Sequence, residues 1–290
     1  MNDIKARKKI NKSLEYLRFG AKMGMYAFGR ESTIALTQLF GRQLGQLVVV
    51  EFPKSGGTWL KKMCSTYLDI PLAERPMLPV IRTSLIHSHT TWRWGLNNAV
   101  YLIRDGRDIM VSMYFHKLRL LGTEYGIGTE RLFRYIYGKK CDFDDVSARL
   151  PRFIEYEMKH SSMTSVNWSR HVEAWQNKRG VVYVKYEDLL IDTISTLTGV
   201  IQRLIHDEID SQRLKDTVSK FEFSRVAGRA PGSEDRQSFM RKGIAGDWKN
   251  YFTKDAAEIF AHYCGETLIS VGYESDESWV KELTRSKPSP

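Results

Sequence analysis

Between residues 10 and 28 an apolar side chain recurs at every third or fourth position. The recurring positions are Ile10, Leu14, Leu17, Ala21, Met25 and Phe28. Lys12, Glu15, Arg18 and Lys22 lie between them, so the pattern predicts an amphipathic helix with a basic face. We therefore separate a basic amphipathic segment, residues 1–45, from the rest of the chain. Its apolar stripe is expected to pack on the remainder of the protein; the alternative is contact with a membrane surface or a lipid-like acceptor.

Beyond residue 45 the pattern changes to short apolar runs separated by helical stretches. The runs at residues 47–50, 84–87, 99–103 and 181–184 have the composition of strands that are buried on both faces. A helix is predicted at residues 58–68, directly after the first strand. Strands that alternate with helices predict an α/β protein in which helices cover both faces of a parallel sheet. We expect residues 46–290 to form one three-layer domain that binds its ligands at the carboxyl ends of the strands.

Composition and charge narrow the range of partners. The chain has 290 residues, of which 42% are hydrophobic and 27% charged, as is usual for globular proteins. A formal net charge of +10 would suit nucleic acid, an anionic membrane or a substrate with several phosphates. Basic residues are spread along the whole chain, and no RNA-binding, zinc-finger or basic-zipper pattern occurs, so nucleic acid is not an expected partner.

The cysteines and the amino terminus bear on the compartment. Cys64, Cys141 and Cys264 are odd in number and far apart in sequence, which argues against a disulfide framework and against a CxxC site. No apolar run in the first 30 residues is long enough for a signal-peptide core or a membrane span. The sequence therefore predicts a cytoplasmic protein.

The strongest local signal is the segment PKSGGTW at residues 53–59, between a predicted strand and a predicted helix. Gly56 and Gly57 let an anion approach the backbone closely, and the start of the helix offers unpaired N–H groups. Lys54 and Ser55 add a charge and a hydroxyl. The loop is not a Walker A motif, in which the lysine follows the second glycine, because Lys54 precedes both glycines. The alternative is a tight strand-to-helix turn with a solvated lysine.

Two further segments suit an anion. Residues 101–108, YLIRDGRD, lead from a buried strand into a helix and present Arg104, with Ser112 following. A phosphate monoester carries a charge of about −1.5 to −2 near pH 7 and favours a fixed guanidinium with hydroxyl donors. Residues 239–250, FMRKGIAGDWKN, form a basic loop that contains two glycines. Taken alone, Arg104 is equally typical of an arginine paired with a neighbouring aspartate.

In this order, the three segments resemble the sulfotransferase family. The 5′-phosphosulfate loop of that family reads PKSGTTW, so Gly57 stands where the family has a threonine. Residues 101–112 are similar to its 3′-phosphate motif, and residues 241–250 match its RKGxxGDWKN loop almost letter for letter. The resemblance implies a three-layer parallel-sheet fold of the P-loop-like sulfotransferase type. It also implies transfer of a sulfuryl group from 3′-phosphoadenosine 5′-phosphosulfate (PAPS) to a hydroxyl, or to an amine, of an acceptor.

The same resemblance implies which residues bind the donor nucleotide. They are Lys54, Ser55, Gly56, Gly57, Thr58 and Trp59 in the first segment, and Arg104, Ser112, Tyr186, Phe223, Arg241, Lys242 and Gly243 beyond it. Lys54 would stabilise the leaving phosphate oxygen, and Arg104, Ser112 and the RKG loop would hold the 3′-phosphate. The aromatic side chains would lie on the adenine side, where flat rings suit a purine, although each is also typical of an ordinary core.

The family places its catalytic histidine in a Lys-Thr-His segment, which His87-Ser88-His89 matches here. His89 is the predicted general base, because a histidine beside an anionic donor is suited to take a hydroxyl proton. His87 stands where the family has lysine, so the missing charge would come from protonated His87 or from another cation. No metal is expected, since no His, Cys or carboxylate set has metal-ligand spacing.

The acceptor stays open: phenols, steroid-like alcohols, lipids and glycans all carry a suitable hydroxyl. Residues 70–98, 117–160 and 226–238 are predicted to form the acceptor pocket and its lids. Two alternatives from other classes are a nucleotide kinase, which would need the missing Walker lysine, and a nucleotide- or polyanion-binding protein without a base.

The family's dimer motif KxxxTVxxxE is matched by Lys249, Thr253 and Glu258, but Lys254 replaces its valine. Burial of a lysine in a small contact is costly, which argues against dimerisation there.

Overall fold

The structure is a computed structural model that describes residues 2–74, 76–138, 142–205 and 208–285. For residues 2–19, 124, 284 and 285 it describes the backbone alone. Cys141 and the side chains of Ile10, Leu14 and Leu17 therefore lie outside the described part. Cys64 and Cys264, which lie within it, are both buried and unpaired by a disulfide.

A parallel sheet runs through the middle of the protein, with the strand order β2-β3-β1-β4-β5. The strands are β1 (Gln46–Glu51), β2 (Leu72–Ala73), β3 (Ser84–Ser88), β4 (Ala99–Ile103) and β5 (Val181–Lys185). The four apolar runs of the sequence are thus confirmed as strands. The pattern missed β2, because two residues are too few to show a period.

Helices surround the sheet and supply the two outer layers. They are α1 (Asn2–Phe40), α2 (Gly57–Leu68), α3 (Gly106–Leu120), α4 (Ile127–Tyr137), α5 (Val146–His160), α6 (Trp168–Trp175), α7 (Tyr186–Ile191), α8 (Thr193–Ile205), α9 (Ser211–Lys220), α10 (Phe223–Ala227), α11 (Lys254–Ser270) and α12 (Ser278–Arg285). Short 3-10 helices occupy Glu124–Gly126 and Asp247–Asn250.

Alternation along the strands divides the core into two halves. Val48 and Val50 of β1 point to the side covered by α3, α5, α6 and α11, whereas Val49 points to the side covered by α2, α8 and α9. In β4, Tyr101 and Leu102 divide in the same way. Successive side chains of a strand face opposite ways, so the run of apolar residues fills both halves. The expected three-layer α/β domain is confirmed.

The amino-terminal helix α1 packs through a different stripe from the one predicted. Its buried side chains are Thr33, Ile34 and Thr37, and Ile34 is 1% exposed. Of the predicted stripe, Met25 is 48% and Phe28 is 62% exposed, so the expected packing is wrong for these two residues. No helix in the described ranges is long and apolar enough to cross a membrane. The boundary at residue 45 stays a prediction; α1 ends at Phe40 and the sheet begins at Gln46.

Candidate functional site

The segments singled out in the sequence meet at the carboxyl edge of the sheet. Lys54 follows β1, His89 follows β3, Arg104 follows β4 and Tyr186 follows β5. β1 lies between β3 and β4, and the chain moves to opposite sides of β1 to form these two neighbours. A crevice at such a reversal of strand order is where open α/β sheets bind ligands. The loop after β1 is therefore at the centre of the candidate site.

The backbone of this central loop is shaped for close approach. Gly56 has φ of 100° and precedes α2, and a Cβ atom there would lie 2.6 Å from the ring of Tyr186. Only glycine meets both demands. Lys54 has φ of 79°, which costs a residue with a side chain about 1–3 kcal/mol and is most often found at functional sites. The Ser55 hydroxyl donates to the Phe52 carbonyl across 2.8 Å, so its proton is directed into the loop.

Arg104 connects this loop with the distant basic loop. Its guanidinium donates to the carbonyl oxygens of Lys54 and Ile244, each across 3.2 Å, and lies 4.4 Å from the centre of the Tyr186 ring. Asp108, four residues on, is 3.5 Å away. The Arg104 Nε is buried and has no partner among the described residues. A buried N–H donor without a partner fits a site that receives an oxygen of a ligand.

The basic loop at residues 239–250 contributes charges that carboxylates hold in place. Arg241 forms ion pairs with Glu234 and Asp247, and Lys242 lies 2.7 Å from Asp247. Gly243 has φ of 64°, and a Cβ atom there would collide with the Phe223 ring.

Not all of the predicted donor-binding residues lie together. Lys54, Ser112 and Arg241 line one cleft. Trp59 and Tyr186 are in edge-to-face contact at 6.3 Å, whereas Phe223 packs on Gly243. The structure therefore separates the predicted aromatic residues into two contacts, one of which lies at the basic loop.

The hydrogen bonds of His89 determine its tautomer. Nδ1 lies 3.0 Å from the backbone oxygen of Glu51, which can only accept, so Nδ1 carries the proton and Nε2 keeps a lone pair. Burial lowers the pKa of His89, and the neighbouring Glu51 carboxylate opposes this only in part. A neutral ring with a free lone pair on Nε2 is the form that a general base requires.

Glu51 and His87 belong to a chain of polar contacts that runs from buried Glu51 to exposed Glu74. Lys61 Nζ lies 2.9 Å from Glu74 and 3.3 Å from His87 Nδ1, and His87 Nε2 lies 3.1 Å from Glu51 Oε1. The other Glu51 oxygen accepts the Gly57 N–H. Burial alone would raise the pKa of Glu51, but the His87 hydrogen bond, the electrostatic effect of both histidines and the Gly57 N–H together outweigh burial, and the pKa is lowered. Glu51 is therefore a buried anion at the base of the loop.

These contacts affect two predictions made from the sequence: donor binding by the Gly57 amide and a positive charge on His87. The Gly57 amide, predicted to bind the donor, already donates to Glu51 and must leave it to bind an anion. His87 accepts at Nδ1 from the Lys61 ammonium, which only donates, so its single proton lies on Nε2 towards Glu51. The buried cation next to this segment is thus Lys61, on α2, and not a protonated His87.

Glu51, His87 and His89 each bring one potential metal ligand within 4.8 Å of the others. Spacing along the chain did not show this set, because Glu51 is 36 residues from His87. A metal on His87 Nε2 would require the proton on Nδ1, where the Lys61 ammonium lies. The contacts of His87 therefore favour a hydrogen-bonded chain over a metal ion.

Comparison with known proteins identifies the family. The sequence profile of the sulfotransferase domain matches residues 85–272, more than half of the chain. The chain belongs to the sulfotransferase family. The family resemblance seen in the sequence is thereby confirmed, although the profile match begins after the loop at residues 53–59.

Individual relatives are distant in sequence, but the alignments cover most of this chain and most of each relative. Mouse sulfotransferase 1B1 is 25% identical over 264 residues, which are 74% of this chain and 80% of the relative. The 3-alpha-hydroxysteroid sulfotransferase of Cavia porcellus is 26% identical over 282 residues, which are 83% of this chain and 90% of the relative.

Solved structures agree with the fold. Mouse sulfotransferase SULT7A1 complexed with PAP aligns with a TM-score of 0.59 at 19% identity, over 89% of this chain and 95% of that one. Retinol dehydratase in complex with androsterone and inactive cofactor PAP aligns with a TM-score of 0.56 at 16% identity, over 77% of this chain and 80% of that one. At such identities, these two structures support the shared architecture.

Sequence reasoning missed several residues of the candidate site. Glu51 was visible as the charged residue that ends the apolar strand β1, but its partners were not. His171 is fully buried, and its Nε2 donates to the His89 carbonyl across 3.2 Å while the Tyr101 hydroxyl lies 3.0 Å from Nδ1. These contacts orient the backbone that carries His89. Nothing in the local pattern around residue 171 predicted this.

Proposed function

We propose that this chain transfers a sulfuryl group from PAPS to a hydroxyl, or to an amine, of an acceptor, by in-line displacement with His89 as general base. The observation that carries the proposal is the contact of His89 Nδ1 with the Glu51 backbone oxygen, which favours the Nδ1-protonated tautomer, beside a strand end that leads into the proposed phosphate-binding loop. Sulfuryl transfer has the physical demands of phosphoryl transfer: a nucleophile in line and cations against the oxygens that gain charge.

The residues of these loops would have different roles in the reaction. His89 Nε2 would accept the proton of the acceptor hydroxyl as the bond to sulfur forms. Lys54 would stabilise the oxygen of the leaving phosphate, and no carboxylate among the described residues neutralises its charge within ion-pair distance. Burial and the neighbouring Arg119 lower the pKa of Lys54 to about 8, so it is still mainly protonated at neutral pH. The Gly56 and Thr58 amides, and the Gly57 amide once released by Glu51, would support the same phosphate.

The 3′-phosphate would bind between α3 and the basic loop. The partnerless Nε of Arg104, the Ser112 hydroxyl and the Arg241 guanidinium are the donors that support this assignment. Lys242 and the Gly243 backbone would close the same side. The assignment of PAPS also draws on SULT7A1 and retinol dehydratase, which were both solved with PAP, the nucleotide left after transfer.

The remaining assignments concern the class of acceptor, the compartment and contact with lipid. The acceptor would be a small molecule, a lipid or a glycan that bears a hydroxyl, and it would enter between the lids at residues 70–98, 117–160 and 226–238. Buried, unpaired Cys64 and Cys264 support the cytoplasm as the compartment. Peripheral lipid contact through the exposed Met25 and Phe28 stays part of the proposal.

The direct test is a screen of phenols, steroid alcohols, lipids and glycans with radiolabelled PAPS. We expect labelled product with at least one class, and its loss in His89→Ala at unchanged affinity for PAP. Retention of full activity by His89→Ala would refute the base. Tight binding of PAP without any transfer would favour the alternative of a nucleotide-binding protein.

A further inference from the structure

A basic cleft beside Lys54 contains more positive charge than the donor nucleotide would use. Its lining includes Lys54, Arg119, Arg236 and Arg241, and the described residues that line it contain no carboxylate. Glu234 and Asp247, which do not line the cleft, form ion pairs with Arg241, and Glu234 also lies 3.2 Å from Arg236. Lys54 and Arg119 have no carboxylate within ion-pair distance in the described part of the chain. Two of the four charges are therefore uncompensated.

The two uncompensated cations lie close enough to repel each other. After burial, the charge of Arg119 is the largest cause of the lowered pKa of Lys54. Both side chains are half-buried, so water screens this repulsion less than it would at an open surface. Such a pair is stabilised when anions bind next to it. In the proposed reaction the leaving phosphate satisfies Lys54, and no part of the donor has been assigned to Arg119.

Arg119 lines the same cleft as Ser112 and Arg241 of the proposed 3′-phosphate site, but it lies further along helix α3. Ser112, His116 and Arg119 follow each other at steps of four and three residues, so they lie along one face of the helix. At a rise of 1.5 Å per residue, Arg119 is about 10 Å beyond Ser112 along the axis. A phosphate held by Arg104, which precedes the helix, and by Ser112, in the middle of it, therefore lies about two helical turns before the Arg119 backbone.

His116 adds a neutral donor beside Arg119. The Arg119 guanidinium donates to His116 Nδ1 across 3.2 Å, so the proton of the neutral ring lies on Nε2. Burial, together with Lys54 and Arg119, lowers the pKa of His116 to about 4, which keeps the ring neutral at pH 7. No partner of the Nε2–H occurs among the described residues. Arg119 and His116 thus offer donors only, the pattern of an anion-binding site.

An aromatic surface adjoins these donors. The ring of Phe239 is 54% exposed, and its centre lies 4.5 Å from Lys54 Nζ and 5.8 Å from the Arg119 guanidinium carbon. An exposed ring next to a paired set of donors suits a molecule with an apolar body and an anionic group.

We propose that Arg119 and His116 form a subsite for an anionic group on the acceptor, so that the preferred acceptors are acidic hydroxyl compounds. The inference rests on the proposed function and extends it to the acceptor class. The anionic group is a carboxylate, a phosphate or a sulfate ester, which share the oxygens that this donor set recognises.

Matched acids and esters test the subsite. The probes are 4-hydroxyphenylpropionate and lithocholate, each with its methyl ester, and phenyl phosphate as a competitor. We expect wild type to prefer the acids by about 10- to 100-fold in kcat/KM, the range of a lost charge-assisted hydrogen bond. Arg119→Gln should remove this preference through KM, because the subsite lies away from the reacting atoms. Phenyl phosphate should compete with the acids only in wild type.

Control variants distinguish an effect of the subsite from a general effect of positive charge in the cleft and from an effect on nucleotide binding. Arg236→Gln removes a compensated charge from the same cleft and should keep the preference, and Arg119→Lys should restore part of it. The Kd for PAP, measured by calorimetry, should be the same in wild type and Arg119→Gln. Esters used as well as acids by wild type would overturn the proposal, as would a loss of PAP affinity in Arg119→Gln equal to the loss for the acids.

The test also distinguishes the subsite from the proposed function. If wild type sulfates none of the probes, calorimetry on the PAP-saturated protein still measures binding of the acids. Binding that Arg119→Gln abolishes would support the subsite while the transfer reaction fails. Equal binding by both proteins, or none by either, would overturn the subsite whatever the outcome for transfer.

Discussion

The Nδ1 atom of His89 lies 3.0 Å from the backbone oxygen of Glu51 and donates its proton to it. A main-chain oxygen at the end of β1 thus fixes the ring that follows β3. Because β1 continues directly into the loop at residues 53–59, the same strand end positions the proposed base and the proposed anion site. The side chain of Glu51 extends this link, since it accepts from both His87 and Gly57.

The first prediction concerns the pH dependence of kcat/KM. His89 must be neutral, and burial puts its pKa below the ordinary 6.5, so activity should fall only as the pH drops below that value. Lys54 must be charged, and its pKa of about 8 means that activity should fall as the pH rises through about 8. We expect a bell-shaped profile with these two limbs. Arg119→Gln removes a neighbouring cation and should move the alkaline limb upward; an unmoved limb would exclude Lys54 as its origin.

Substitution of the two histidines should separate catalysis from positioning. His89→Ala removes the proposed base and should lower the transfer rate by about 10²- to 10⁴-fold without loss of the fold. His87→Ala leaves Glu51 and Lys61 without their shared partner, which should cost about 1–3 kcal/mol of unfolding free energy and a smaller part of the rate. Single-turnover kinetics and denaturant unfolding measure the two effects. Equal, small rate losses in both variants would mean that the proton leaves by another route.

Lys54→Ala should affect turnover far more than nucleotide affinity. The variant loses the cation next to the leaving oxygen, where charge develops, and we expect a loss of about 10²- to 10³-fold in kcat. Affinity for PAP should change much less, since the contacts of Arg104 and the RKG loop remain. Lys62→Ala, which removes an exposed lysine from α2, is the matched control. Near-normal turnover in Lys54→Ala would remove this residue from the mechanism.

The helix α1 offers a paired test of which stripe it buries. Ile34 is 1% exposed, and Ile34→Ala should lower the unfolding free energy by about 2–5 kcal/mol. Phe28 is 62% exposed, and Phe28→Ala should change it by no more than about 0.5 kcal/mol. Urea unfolding followed by fluorescence measures both. A large loss in Phe28→Ala would show that a further surface covers this residue, and co-sedimentation with anionic vesicles would test whether that surface is lipid.

In the segment that matches the family's dimer motif, Thr253 and Lys254 have polar partners within the same chain. Lys254 is exposed and lies 3.6 Å from Glu258, and the Thr253 hydroxyl accepts from the Ala256 N–H across 3.3 Å at the start of α11. We expect Lys254→Ala and Glu258→Ala to leave the sedimentation coefficient unchanged. Thr253→Ala should cost about 1 kcal/mol as a lost helix cap, again without a change in assembly. A dimer that dissociates in Glu258→Ala would contradict this prediction.

Much of this protein follows from local sequence. Buried parallel strands are continuous apolar runs, and a loop between a strand and a helix is a contiguous segment, so the strand, loop and helix start within residues 47–59 and 99–112 were assigned correctly from their own letters. That these loops bind an anion stays a prediction. The family followed from three such segments in order. Each of these features depends on neighbours in the chain, whose spacing a sequence shows directly.

The chain of contacts through Lys61, His87 and Glu51, and the approach of Arg119 to Lys54, depended on tertiary structure. Those contacts arise because the sheet order places β1 between β3 and β4, an order that the apolar period does not encode. The same holds for α1, where the period shows that the helix has an apolar stripe, whereas its neighbours determined that Ile34 is buried and Phe28 is not. A hydrogen bond or a buried face requires a partner, and for these residues the partner lies far away in sequence.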